Sequence, residues 1–306
     1  MPPATAISRN LANYAHLVKL SHSVFAMPFA LLAAVLAAST RQAGFVRQRW
    51  FWLELGLVVL AMVTARSAAM AFNRIADRRF DAVNPRTASR PLVSGQLSLP
   101  QAWAFFAACA AIFLAATAGF LAFGNAWPIL LALPVLAYLC VYSLSKRFTP
   151  LCHLLLGVGL GISPLAAWVA IAPQAFGPLP LVLGAAVVCW VAGFDIIYAL
   201  QDIQIDLQQG LHSLPAALGP ANALWISRAL HLTSVTCLVW VFALSGGALG
   251  VFYLAGVAIA AATLLVEQLL VSPANFTRVN AAFFTCNGVV SIVLGGCGIV
   301  DVLLRT

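Results

Sequence analysis

Residues 70–92 read MAFNRIADRRFDAVNPRTASRPL, and this stretch mixes both signs of charge more densely than its apolar surroundings do. Asn73, Asp77 and Asp81 fall at four-residue steps, with Arg74, Arg78, Arg79, Arg86 and Arg90 around them. The chain of 306 residues is 63% hydrophobic and only 8% charged, whereas soluble chains carry roughly 25% charged residues. Apolar runs of about eighteen residues or more, long enough to span a bilayer as helices, recur along its whole length. An ordinary soluble domain is excluded.

The chain has eight acidic residues. Asp77 and Asp81 form one cluster; Asp195, Asp202 and Asp206 form a second, more than a hundred positions later. A carboxylate at mid-bilayer costs roughly 2.5–3.5 kcal/mol on insertion scales, and such residues usually mark function. Residues four or seven apart share a helix face. Arg66, Met70, Asn73 and Asp77 therefore form one stripe, continued by Asp81 if the helix persists; Asp195, Tyr198, Asp202 and Asp206 form another. Two facing columns of oxygen donors suit Mg²⁺, which binds through a few carboxylates together with substrate phosphates. Diphosphate and bare carboxylates repel, so the metal is required by this reading. Arg66, Arg74 and Arg78 are the nearest phosphate-binding cations. Taken alone, Arg79, Arg86 and Arg90 are equally explained as loop charges that set topology.

Spans are expected at about 21–39, 51–73, 100–123, 127–144, 151–171, 181–200, 223–245, 249–271 and 279–303. The result is an all-α membrane protein with about nine transmembrane helices, read as one domain over 1–306 and preceded by an interfacial helix within 1–20. No cleavable leader stands apart from the first apolar run. Ser98 is placed to cap the third helix, and Pro100 suits its first turn. Residues 145–150 and 201–222 read as loops. Spans two to five and six to nine both begin with a helix ending in an acidic cluster, a pattern of weak internal duplication.

Orientation follows from Lys/Arg bias. With a cytoplasmic N-terminus the inner side holds Arg9, Lys19, Arg74, Arg78, Arg79, Arg86, Arg90, Lys146, Arg147, Arg228 and Arg278, against Arg41, Arg47, Arg49 and Arg305 outside. Both acidic clusters then face the cytoplasm, and the net charge of +8 suits anionic headgroups. Nothing suggests nucleic-acid recognition. The seven cysteines form no CxxC pair and read as packing residues. His153 and His231, alone in apolar helices, read the same way, and His212 lies beside the second cluster.

The segment Asn73-Arg-Ile-Ala-Asp77-Arg-Arg-Phe-Asp81, followed by Asn84-Pro-Arg-Thr-Ala-Ser-Arg90-Pro-Leu, resembles the first aspartate-rich motif of UbiA-type aromatic prenyltransferases. Asp195-Ile-Ile-Tyr198-Ala-Leu-Gln-Asp202-Ile-Gln-Ile-Asp206 resembles their second, and the likeness covers nearly the whole chain. The resemblance implies a helical bundle around a central cavity, opening laterally toward lipid. It implies Mg²⁺-dependent ionisation of a polyprenyl diphosphate and attack by a ring carbon of an aromatic acid, as in quinone biosynthesis at a bacterial inner membrane. By the same resemblance Asn73, Asp77, Asp202 and Asp206 would be metal ligands, supported by Asp81 and Asp195. Asp77, Asp202 and Arg147 would carry catalysis. Arg78 and Lys146 would contact diphosphate, and Arg147 would meet either diphosphate or the acceptor's carboxylate. Asn73 stands where some members have Asp.

The N-terminal run from His16 to Leu31 is similar to the branch acting in the futalosine route to menaquinone, so the acceptor is left open between 4-hydroxybenzoate and an acid of that route. Lys19 and His22, three apart, are candidates for phosphate binding and for ring deprotonation, or for interfacial anchoring. Tyr198 is expected in the substrate pocket. Two other classes fit less well. A cation transporter would distribute acids through the membrane depth, and a non-catalytic isoprenoid binder leaves the acidic columns without a task.

Overall fold

The computed structural model describes residues 13–18 and 25–305; Lys19 and His22, with the start of the expected first span, lie outside the described residues. Among the described residues the only strand-like pairing is an isolated bridge between Ser272 and Asn275; the rest is helix and connection. The main helices are α1 (Met27–Arg41), α2 (Arg49–Ala76), α3 (Arg78–Val83), α4 (Leu99–Ala118), α5 (Trp127–Val141), α6 (Cys152–Ile171), α7 (Pro178–Ala199), α8 (Ile203–Gln209), α9 (Leu214–Leu244), α10 (Val251–Leu269) and α11 (Asn287–Arg305). Among the described residues, eight helical segments are long and apolar enough to cross a bilayer. The first expected span corresponds to α1, whose described helix is apolar and 15 residues long. At 1.5 Å per residue it reaches about 22 Å, short of the roughly 30 Å hydrocarbon core. The chain is an integral membrane protein.

Local chemistry sets the helix ends. Ser98 and Gln101 form a reciprocal capping box at α4, with Pro100 in its first turn. Gly124 turns the chain before α5 with φ +75°, a conformation that favours glycine. Two connections differ from expectation. Residues 142–147 continue α5 as a 3₁₀ turn, so Lys146 and Arg147 ride on a helical extension instead of a loop. Residues 201–222 are largely helical: α8 ends at Gly210, Ser213 caps α9, and the α9 segment bends at Gly219-Pro220. Short amphipathic helices at the bundle end bury few apolar residues, which is why their hydropathy reads as loop.

Helices pack in the order α2–α4–α5–α6–α7–α9–α10–α11, and α1 packs against α6, α11 and α2. The main core gathers Phe29, Leu36, Trp190, Tyr253 and Leu294 among its buried residues. Glycines let α6 and α7 approach. A Cβ at Gly157 would lie 2.5 Å from the Val188 carbonyl oxygen. The two motif helices break alike: α2 ends at Asp77 and restarts as α3, and α7 tightens through Leu200–Asp202 before α8. At the opposite end Arg41 donates to Glu54 at 3.0 Å and to the Ile171 carbonyl at 3.2 Å, while stacking over Trp50. That pairing gives one outer-side arginine of the sequence reading a structural task. All seven cysteines are unpaired.

Gly157→Val is expected to destabilise the bundle by about 1–3 kcal/mol through overpacking, read as a lower unfolding temperature in detergent micelles. Gly56→Val is the control, because a Cβ there meets nothing, and its unfolding temperature should stay close to that of the unmodified protein.

Candidate active site

The acidic clusters meet at one cavity of about 330 Å³, whose wall includes Arg66, Met70, Asn73, Arg74, Asp77, Asp81, Lys146, Arg147, Asp195, Tyr198, Asp202 and Asp206. The structure thus brings together all but one of the described sequence candidates. The exception is Arg78, which is exposed and stands outside this wall. Its position follows from the break at Asp77, after which α3 carries Arg78 and Arg79 toward the outside.

Each cavity carboxylate is paired with a group from elsewhere in the chain, a cation in four cases and an imidazole for Asp195. Asp77 accepts from Arg147 at 3.2 Å, and Asp81 from Arg90 at 2.6 and 2.5 Å. Asp202 is gripped by Arg86 through Nε at 3.1 Å and Nη2 at 2.6 Å, with Asn84 Nδ2 adding a third bond. Asp206 meets Lys146 at 2.6 Å and the Ser213 hydroxyl at 2.8 Å. Asp195 meets His153 Nδ1 at 2.7 Å. Because His153 Nε2 accepts from the Leu214 N–H, Nδ1 is the nitrogen that donates to Asp195.

The consecutive residues Lys146 and Arg147 take one acid from each cluster, Asp206 and Asp77. Gln209 on α8 also donates to the Phe80 carbonyl on α3 at 3.2 Å. These contacts place the ends of α2 and α7 side by side. The acids gather at one end of the bundle, which disfavours a transporter with acids spaced through the membrane.

Burial pushes the Asp77 carboxyl above the usual carboxylate range, opposed by the Arg147 hydrogen bond. Burial works to lower the Arg86 guanidinium, but Tyr198 and Asp202 outweigh it, so Arg86 holds its proton more tightly than usual.

The donor set is carboxylates plus the Asn73 carboxamide, hard oxygen ligands that fit Mg²⁺ in kind. Among the described residues no three acidic, imidazole or thiol groups stand as a ready metal cage. The acids face their cations instead, and Asn73 itself donates to Asp77 at 2.9 Å while its oxygen accepts from Arg74. Binding a metal here requires those partners to be exchanged.

Behind the acids, Phe25, Phe194, Phe283 and Tyr198 line the cavity. Their rings pack together, with centroids 5.9 Å apart for Phe25–Phe194, 5.3 Å for Phe194–Phe283 and 4.3 Å for Tyr198–Phe283. Phe283 sits on a π-helical segment, Ala282–Cys286. A second cavity of about 380 Å³ shares Arg66, Met70, Tyr142 and Leu160 with the first and runs between α2, α4, α5 and α6 to Phe120 and Phe176. Its wall is almost entirely apolar.

Sequence reasoning left three contributors unassigned. Arg86 and Arg90 looked like loop charges, and only the fold shows them paired with Asp202 and Asp81. His153 looked like a packing residue in an apolar helix; only the tertiary neighbour Asp195 distinguishes it. His231 is indeed buried core, against Gln268. His212 is exposed, and its N–H donates to the Lys146 carbonyl.

A profile described as the UbiA prenyltransferase family matches residues 26–289. The 4-hydroxybenzoate octaprenyltransferase of Pseudomonas aeruginosa (strain UCBPP-PA14) is 32% identical over 217 residues, 70% of each chain. That of Pseudoalteromonas atlantica is 32% identical over 249 residues, 81% of this chain and 84% of the relative. Among solved structures, an apo UbiA homologue from Aeropyrum pernix K1 is 37% identical, with TM-score 0.79 over 92% of this chain and 98% of its own. A UbiA homologue from Archaeoglobus fulgidus bound to GPP and Mg²⁺, at 20% identity and TM-score 0.68 over 95% and 99%, shares the fold.

Ser213 both accepts from the Ala216 N–H at the start of α9 and donates to Asp206. Ser213→Ala is therefore expected to cost about 0.5–2 kcal/mol from the lost cap alone, read in thermal unfolding of the purified protein.

Proposed function

The chain belongs to the UbiA prenyltransferase family, and from that premise we propose that it transfers a polyprenyl group from a polyprenyl diphosphate to a ring carbon of a 4-hydroxybenzoate-like acid in quinone biosynthesis. The single observation that carries this reading is the convergence of two acidic motifs, paired through Lys146 and Arg147, on a cavity that shares part of its wall with an apolar one. The acceptor is either 4-hydroxybenzoate, as the relatives' names suggest, or an acid of a menaquinone route.

In this reading the diphosphate lies among Arg66, Arg74, Lys146 and Arg147, and the prenyl tail extends past Met70 and Tyr142 into the second cavity. Asn73, Asp77, Asp202 and Asp206 would hold Mg²⁺, with Asp81 and Asp195 in support. When bound, the metal supplies the positive charge that allows a diphosphate to sit among carboxylates and to depart. The allylic C–O bond breaks with its electron pair leaving on pyrophosphate, and the ring carbon then attacks the resulting cation and loses its proton. Phe25, Phe194, Phe283 and Tyr198 exclude water from that cation and offer it aromatic faces. Exposed Arg78 is placed to meet the diphosphate only if its side chain turns inward, and Lys19 and His22 keep the roles suggested by sequence, as phosphate ligand and pocket residue. Lys/Arg bias puts this end of the bundle on the cytoplasmic face.

Asp77→Ala and Asp202→Ala should each lower transfer by at least about two to three orders of magnitude while leaving folded protein in the membrane. Membranes supplied with Mg²⁺, labelled polyprenyl diphosphate and a panel of aromatic acids provide the assay; near-normal turnover in both variants would refute the site. Ala132 is buried in the second cavity's wall. Ala132→Phe should depress transfer from long donors more than from geranyl diphosphate, and equal loss with both would remove the tail from that cavity.

A further inference from the structure

We infer that Arg86 is a diphosphate-binding residue held in reserve on Asp202: it serves as that carboxylate's counter-ion until a metal takes the oxygens, then turns to the diphosphate. The inference rests on the metal–diphosphate reading of the cavity and adds a residue and a coupling to it.

Arg86 is the arginine of the first connection that reaches across to the second acidic cluster. It covers both Asp202 oxygens in a fork-to-fork pair, the geometry in which guanidinium and carboxylate match best. Asp202 is nearly buried while the Arg86 side chain stays a third exposed, so the arginine is the partner with room to move. Its backbone is fixed, because its N–H donates to Asn84 Oδ1 at 2.9 Å in a local turn. Motion is then confined to the side chain.

A divalent cation on Asp202 would share the carboxylate's edge with a guanidinium of like sign, and both cannot keep it. Tyr198 offers the displaced side chain a pivot. Arg86 Nη1 donates to the Tyr198 hydroxyl at 3.0 Å, and its guanidinium carbon stands 5.2 Å from that ring's centroid. Neither contact depends on Asp202. From that pivot the planar fork suits two phosphate oxygens as well as it suits a carboxylate.

The other pairs are built differently. Arg147 is also tied to the Ala76 carbonyl at 2.7 Å, Arg90 is more enclosed than Arg86, and the Asp206 partner of Lys146 keeps Ser213 as a second donor.

The exchange makes a prediction of opposite signs. Arg86 competes with a metal for Asp202 when no diphosphate is present, and helps the diphosphate once the metal is there. The test uses the full chain in nanodiscs, with Mn²⁺ binding followed by electron paramagnetic resonance and inorganic pyrophosphate binding followed by calorimetry at saturating Mg²⁺. Arg86→Gln should bind Mn²⁺ alone about 5- to 10-fold more tightly than the unmodified protein and pyrophosphate about 10-fold or more weakly, within the usual range of coupling between sites. Arg86→Lys, which keeps the charge without the fork, should shift both in the same directions by less, and it serves if the glutamine variant does not fold. Unchanged or weaker Mn²⁺ binding in the folded variant overturns the exchange and leaves Arg86 a structural tie. Failure of the underlying reading looks different: Asp202→Asn would then bind Mn²⁺ as the unmodified protein does, with pyrophosphate present.

Discussion

Five carboxylates, four cationic partners and one imidazole, gathered at one end of a largely apolar bundle, are the constraint that the rest of this structure accommodates. A buried carboxylate without a partner carries an uncompensated desolvation cost of several kcal/mol. Here each acid has one, and the partner comes from another segment in every case: Arg147 for Asp77, Arg90 for Asp81, His153 for Asp195, Arg86 for Asp202 and Lys146 for Asp206. The pairs tie together α2, α3, the first connection, the 3₁₀ extension of α5, α6, α7 and α8. The same groups that neutralise the cavity also hold its walls in register.

Apolar packing alone could not place the acids so closely, because helices in a lipid solvent gain little from hiding apolar surface from one another. What it does place is the second cavity. Small and bent positions in α2, α5 and α6, such as Ala69, Ala132, Gly159 and the in-helix prolines Pro134 and Pro164, leave room between helices. Arg66, Met70 and Tyr142 stand at the seam of the two cavities, where a molecule with a charged head and an isoprenoid tail would change environments.

A second polar group lies deeper, on the far side of the aromatic wall. Glu267 accepts from Asn287 at 2.9 Å, and Asn287 in turn accepts from the Trp190 indole at 2.7 Å. Next to it Gln268 donates to Ser227, whose hydroxyl donates to the Gly193 carbonyl. These bonds join α7, α9, α10 and α11 at the level where α7 begins to present its acids. They fix the rotation of the motif helix and the packing of Phe194 and Phe283, so the wall and the carboxylates share one support.

Much of this was legible in the chain itself. Hydropathy alone marks the membrane spans, because the bilayer tolerates little besides apolar helix, and the four-residue spacing of Asn73, Asp77 and Asp81 announces a helix face with chemistry on it. Caps such as Ser98 are local and therefore readable. What only the tertiary structure decided is which cation meets which acid. Arg86 and His153 lie 116 and 42 positions from their partners, and no periodicity reports a contact at such a distance. The helical nature of 201–222 was hidden for a related reason: short interfacial helices hold their shape through caps and neighbours, not through an apolar stripe. Sequence determined the solvent, the spans and the oxygen donors, since these follow from composition and local period. The joining of two distant motifs into one cavity belongs to the fold, because charge pairing and close helix approach are settled only when all the segments are present.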